Sequence, residues 1–156
     1  MTLRIEVVSG EEMLEQWRYV HNLIVPPAAL EPDDVRERAG RNRLENAYLD
    51  GVLVGCSTVR PPVRDGGTAT VIARVLPEFR GQGIGTSLYE HVLAHALALG
   101  AKVTETVVLA ANHDGLRLAA RSGFDEIERY VVDGHEWVTL RLRDEFASCA
   151  GRGPGT

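Results

Sequence analysis

The residues of this chain best suited to chemistry sit together in "VLPEFRGQGIGTSL", residues 75–88. Gly81, Gly83 and Gly85 alternate with Gln82 and Ile84; Arg80 precedes them and Thr86 follows. Ahead of the turn, "TATVIARVL" (68–76) is rich in branched residues and reads as a strand. Behind it, Ile84, Leu88, Val92, Ala96 and Leu99 form one apolar stripe closed by Gly100, so 84–99 reads as a helix. The first amides of a helix have no intrahelical partner, and the helix dipole adds about half a positive charge there. Glycines tolerate positive φ and keep side chains out of the way of a bulky anion. Arg80 offers a guanidinium fork matched to phosphate. Together these features make an anion site of the size of a pyrophosphate.

Other phosphate motifs fit less well. A P-loop places a lysine after its last glycine, and none stands here. A dinucleotide fingerprint needs GxGxxG directly off a strand among repeated βαβ units. Here the spacing is GxGxG, "PEFR" intervenes and a single such unit exists, so Glu105 as a ribose-binding acid is the weaker alternative. His91 and His95 stand four apart on the long helix without a third ligand, which favours a solvated face over a metal site. Cys56 and Cys149 are far apart and read as free thiols, Cys56 as a packing residue.

The elements that must position the turn follow from periodicity. "LRIEVV" (3–8) is a strand; Ser9 and Glu12 fit a capping box for a helix that Pro26 and Pro27 end. Pro32 opens a second, mostly polar helix with Asp33 and Asp34 in its first turn. Asp50-Gly51 and Asp133-Gly134 each separate two strand-like runs and mark hairpins. "KVTETVVLA" is a strand, and "NHDGLRLAARSG" a short helix with Asn112 as its N-cap. The order predicts an α/β (α+β) domain on a mixed sheet, hairpins at both ends and one right-handed βαβ unit near the centre. Residues 1–146 read as one domain and 147–156 as a disordered tail or linker.

Composition narrows the function. With 156 residues, 44% hydrophobic and 25% charged, the chain can bury a sizeable core. A net charge of −5 argues against a general nucleic-acid partner. No apolar run approaches a membrane span, and the N-terminus lacks the apolar stretch of a signal peptide. With its free thiols, the chain is expected in the cytoplasm.

"VLPEFRGQGIGTSL" resembles the acyl-CoA-binding motif of the GNAT acetyltransferase superfamily, V-x-P-x-x-R-G-x-G-[IV]-G. "NHDGLRLAARSGF" is similar to that family's N-x-x-A-x-x-L-Y-x-x-x-G-F stretch, and the element order agrees from residue 3 to about residue 143. The resemblance implies a GNAT-like, mostly antiparallel sheet of about seven strands flanked by about four helices, with central strands that splay apart. It implies acetyl-CoA as co-substrate and no metal. It also implies an acetyl transfer by direct attack of a primary amine, in a small molecule or a peptide. Ala73, Val75 and Leu76 would lie along the pantetheine arm, with the Val75 amide a candidate donor to the developing oxyanion. Backbone amides from Arg80 through Gly81, Gln82, Gly83, Ile84 and Gly85 to Thr86 would hold the pyrophosphate, and Asn112 would touch the cofactor arm. A homodimer is compatible with this reading, and the oligomeric state stays open.

The chain departs from the family where catalysis is concerned. The tyrosine that usually serves as general acid aligns with Ala119, and the strand 68–76 has no carboxylate to act as base. Arg74 is its only charged residue, with Glu105 a candidate partner across the sheet or a base acting through water. His113 and Tyr130 are polar without a distinguishing spacing, and Asp33, Asp34 and Glu37 suggest attraction of a cationic amine or a solvated face. The catalytic residues are therefore unknown from sequence. A non-catalytic acetyl-CoA-binding module, regulatory or half of a tandem acyltransferase, is the alternative.

Overall fold

A computed structural model describes residues 2–63 and 67–145. Strand β1 (Leu3–Val7) leads into helices α1 (Glu11–Ile24) and α2 (Pro32–Arg41). Then come β2 (Arg43–Leu49), β3 (Val52–Arg60), β4 (Thr68–Val75) and α3 (Ile84–Ala98). The chain continues with β5 (Val103–Leu109), α4 (His113–Arg121), β6 (Phe124–Val132) and β7 (His135–Leu142). The strands form one seven-stranded sheet in the order β1-β2-β3-β4-β5-β7-β6. All neighbours are antiparallel except β4 and β5, which the α3 crossover makes parallel.

Both Asp-Gly hairpins have left-handed backbone at both central residues, Asp50 (φ 51°) with Gly51 (83°) and Asp133 (50°) with Gly134 (81°). That is the type I′ turn that matches strand twist. Helix α1 departs from expectation: its N-cap is Gly10 at φ 85° with no side-chain cap, so Ser9 and Glu12 form no capping box. The capping box belongs to α2 instead, between Glu31 and Asp34. Leu99 falls beyond the end of α3 and is 46% exposed, so the apolar stripe stops at Ala96. The proposed tail, residues 147–156, lies outside the described residues.

Two layers of helices sandwich the sheet. On one face α1 and α2 bury Trp17, Val20 and Val35 against Leu44, Cys56 and Leu76. On the other, α3 and α4 bury Tyr89, Val92, Ala96 and Ala119 against Val71, Phe124 and Val138. The Trp17 indole N–H donates to the Ser57 carbonyl (3.2 Å), and the Asn46 amide donates to the Met13 carbonyl (3.0 Å). These two bonds fix α1 over the centre of the sheet.

Candidate active site

Strand β4 pairs with β5 only from Thr68 to Thr70, opposite Val103 to Glu105. Beyond Thr70 the two strands part. On its other side β4 stays paired with β3, where Gly55 opposes Val75 and Ser57 opposes Ala73. The Leu76 amide bonds to the Val54 carbonyl (2.8 Å), which makes Gly55–Val75 a non-hydrogen-bonded pair. The backbone groups of Ala73 and Val75 therefore point away from β3, into the gap left by β5. The Val75 carbonyl takes the Arg80 Nε–H (3.0 Å), which leaves the Val75 amide facing the gap.

A cleft of about 440 Å³ opens beside this free edge. Ala73, Val75, Arg80, Gly81, Gly83, Ile84, Gly85, Thr86 and Asn112 all line it. Leu76 does not; it is 4% exposed and packs under α1. Gln82 also lies outside the lining, on the exposed rim of the turn.

The three glycines of the turn act differently. Gly81 (φ 80°) and Gly83 (φ 84°) hold left-handed backbone, and a Cβ on either would stand in open space. Gly85 has helical backbone, but a Cβ there would collide with the methyl groups of Leu118 on α4. Conformation fixes the first two, and packing of α3 on α4 fixes the third. The first helical bond runs from the Ser87 amide to the Gly83 carbonyl (3.1 Å). The amides of Ile84, Gly85 and Thr86 thus have no intrahelical acceptor and open into the cleft wall.

Positive charge surrounds this helix start. Arg80 lines the cleft, its NH1 donating to Asp114 Oδ2 (3.1 Å). Arg117 and Arg121 line it from α4, and Arg117 also pairs with Asp114. The Arg80 hydrogen bond, with Arg117 beside it, holds the Asp114 carboxyl below its usual range. Arg117 and Arg121 were missed in sequence; their i,i+4 spacing on α4, one turn after Asn112, was the available signal. Asn112 is the N-cap of α4, its Oδ1 accepting the Gly115 amide (3.0 Å), and it borders the cleft as well.

A second, smaller cavity of about 100 Å³ lies on the α1/α2 face of the sheet. Arg74 lines both cavities and so joins them through β4. Its opposite number on β3 is Cys56, fully buried, whose thiol burial pushes up to about 11. Glu105, expected near Arg74, accepts from Arg141 instead (2.7 and 2.9 Å). His21 is 4% exposed, stacks on Trp17 and donates Nε2–H to the Ala28 carbonyl (3.0 Å), while its Nδ1 is buried without a partner. Burial, then the Arg74 charge, holds the imidazole down to about 3.

The remaining polar candidates resolve structurally. His91 is bound rather than solvated: its Nε2 lies 2.8 Å from Glu45 Oε2, and Glu45 is 1% exposed. Among the described residues no cluster of three His, Cys, Asp or Glu could hold a metal ion. Ala119 is fully buried in the core beside Tyr89 and Phe124. His113 is exposed at the start of α4, and Tyr130 is exposed on β6.

An open strand edge running into an amide-rich, arginine-flanked helix start has the shape and charge to receive an extended ligand that ends in an anion. The model of the acetyltransferase (GNAT) family matches residues 11–124, and the chain belongs to that family. Solved structures share the fold. An N-acetyltransferase from Staphylococcus aureus Mu50 superposes with a TM-score of 0.73 at 15% identity, covering 91% of this chain and 98% of that one. The protein yncA from Salmonella typhimurium, solved with its cofactor acetyl-CoA, gives 0.74 at 17% identity over 92% and 94%. The ribosomal-protein-S18-alanine N-acetyltransferase of Escherichia coli gives 0.71 at 18% over 90% and 93%. No curated protein matches the sequence.

Proposed function

We propose that this protein is an acyl-CoA-dependent N-acetyltransferase that moves an acetyl group from acetyl-CoA to a primary amine by direct attack. The observation that carries the reading is the pairing of a free β4 edge with the open amides of Ile84, Gly85 and Thr86 in one cleft. The cleft fits the co-substrate in shape and sign: an extended edge for an amide-bearing arm, and unpartnered amides with Arg80 for a pyrophosphate. Open space at the missing Cβ positions of Gly81 and Gly83 leaves room for that anion. Bound there, acetyl-CoA would supply the thioester carbonyl and a thiolate leaving group.

The chain's own contribution is binding and polarisation. The Val75 amide faces the gap and is free to donate to a developing negative charge. Asp114 is committed to two arginines and His21 is held far below neutral pH, so neither suits a general base. Solvent is then the proton acceptor for the amine. This reading goes with a cytoplasmic location and no metal; a homodimer is compatible with it, and the oligomeric state stays open.

One observation favours a second reading, a non-catalytic CoA-binding module. The position that aligns with the family's tyrosine is the core residue Ala119, and no carboxylate lies on β4. Incubation with acetyl-CoA and a panel of primary amines, with free thiol as readout, separates the two. Thiol release above the uncatalysed rate is expected, and its absence with every amine would leave the binding module. Calorimetry with CoA tests the cleft itself. Arg80→Ala removes a charge-assisted contact, so a loss of about 1.5–3 kcal/mol in affinity is expected; an unchanged Kd would remove the turn from the site.

A further inference from the structure

The cavity on the α1/α2 face is lined by three arginines from three different elements: Arg38 on α2, Arg60 on β3 and Arg74 on β4. Every other arginine of α2 has a carboxylate partner: Arg36 binds Glu11 and Asp33, and Arg41 binds Glu37. Among the described residues Arg38, Arg60 and Arg74 have none within 4.0 Å. Arg60 and Arg74 are pulled below their usual range by burial, and the neighbouring guanidinium groups add to the pull. His21 lines the same cavity as a neutral ring.

Three cations around one small cavity repel one another unless an anion enters. Guanidinium groups from several directions match a planar carboxylate, which can accept two parallel N–H bonds from one fork and single N–H bonds from the others. The acidic residues of α2 that suggested a cationic acceptor are turned elsewhere. Asp33 and Glu37 are spent on arginines of their own helix, and Asp34 caps the helix start. The sign of the acceptor side is therefore positive. Because Arg74 also lines the donor cleft, an anion held by it stands next to the reacting centre.

We propose that Arg38, Arg60 and Arg74 hold the carboxylate of the acceptor, so that the amine acetylated is a small carboxylate-bearing amine of the amino-acid type. This rests on the acetyltransferase reading. In the transfer, the acceptor nitrogen forms a bond to the acetyl carbon as the carbon–sulfur bond breaks. The sulfur leaves with the bonding electron pair and takes up a proton, the nitrogen gives one to solvent, and an N-acetylated carboxylate and free CoA result. The apolar faces of Trp17 and Trp137, which also line the cavity, suit the carbon skeleton between the two groups.

The test uses matched pairs: amino acids, the amines left when their carboxylate is replaced by hydrogen, and their methyl esters. Each is assayed with acetyl-CoA for thiol release, and its binding to the CoA-loaded protein is measured by calorimetry. The carboxylate member is expected to have a kcat/KM about 10-fold or more above its partners, the effect of a charge-assisted contact. Arg60→Gln and Arg38→Gln should raise its KM by a similar factor while the Kd for CoA moves less than about two-fold. Equal or better turnover of the neutral amines or of a polyamine would overturn the proposal, as would an unchanged KM in both variants. If no amine turns over, the binding arm decides: a carboxylate amine that binds, and binds more weakly to Arg60→Gln, keeps the anion site while the acetyltransferase reading falls. No binding in that arm overturns the proposal. Failure of CoA itself to bind would strike the donor cleft instead.

Discussion

Replacing Gly85 with alanine tests whether the third glycine of the turn serves packing. Its backbone is helical, so alanine meets no conformational strain, and helix propensity alone would stabilise the protein by about 0.5–1 kcal/mol. The added Cβ would stand 3.0 Å from Leu118 Cδ1 and 3.3 Å from Cγ, with Cδ2 closer still. Overpacking of that kind costs about 1–3 kcal/mol. The net expectation is a loss of about 0.5–2 kcal/mol. Leu118→Ala removes the obstacle, so the double variant should be more stable than the sum of the singles by about 1–2 kcal/mol. Urea denaturation followed by the fluorescence of Trp17, which is 1% exposed, measures all four proteins. Gly83→Ala is the control. Its φ of 84° costs alanine about 1–2 kcal/mol, and no atom lies within 4 Å of the new Cβ, so Leu118→Ala should not rescue it. A stabilising Gly85→Ala, or effects that add to within about 0.5 kcal/mol, would refute the packing argument.

Two further outcomes concern the histidines. The folded pKa of His21, about 3, lies below the usual value of 6.5, so the unfolded chain binds the extra proton between them. Its contribution to stability is complete above pH 6.5 and is lost on acidification, about 2 kcal/mol by pH 5. His21→Gln should flatten the difference between urea midpoints at pH 7 and pH 5, and parallel pH slopes would show the ring is not buried neutral. For the pair on α3, His91→Ala breaks the contact to the buried Glu45 carboxylate and should cost about 1–3 kcal/mol, whereas His95→Ala should stay within about 0.5 kcal/mol. Equal losses in thermal unfolding would return both histidines to the solvated face.

The fold was legible because its signals are local. Asp50-Gly51 and Asp133-Gly134 specify their hairpins through two consecutive left-handed residues, and the Ile84-to-Ala96 stripe specifies α3 through spacing alone. The turn that borders the larger cleft was legible for the same reason: glycines, arginine and helix start are contiguous in the chain. Where distant segments meet, sequence gave less. Ser9 and Glu12 have the right spacing for a capping box, but the chain enters α1 through left-handed Gly10 and leaves no place for it. His91 reads as a solvated residue until the fold brings Glu45, 46 positions away, to 2.8 Å. Glu105 and Arg74 lie on neighbouring strands, yet the strands part before the two can meet, and Arg141 on the other flank takes the carboxylate.

The α1/α2 face shows why charge in a sequence has no sign until topology assigns it a face. Helix α2 carries Asp33, Asp34 and Glu37 together with Arg36, Arg38 and Arg41, and counting them suggests a balanced, solvated surface. Folding satisfies all of them except Arg38, and Arg38 is the one that turns toward the sheet. Strand β4 makes the same selection by its pleat. Successive residues alternate between faces and between edges, so Ala73 and Val75 offer their backbone to the gap beside β5 while Ile72 and Arg74 face α1. One strand thus borders both cavities, the larger through its main chain and the smaller through a side chain. A one-residue slip of β4 against β3 would exchange the two sets. The non-hydrogen-bonded pairing of Gly55 with Val75 is therefore the register on which the whole site depends.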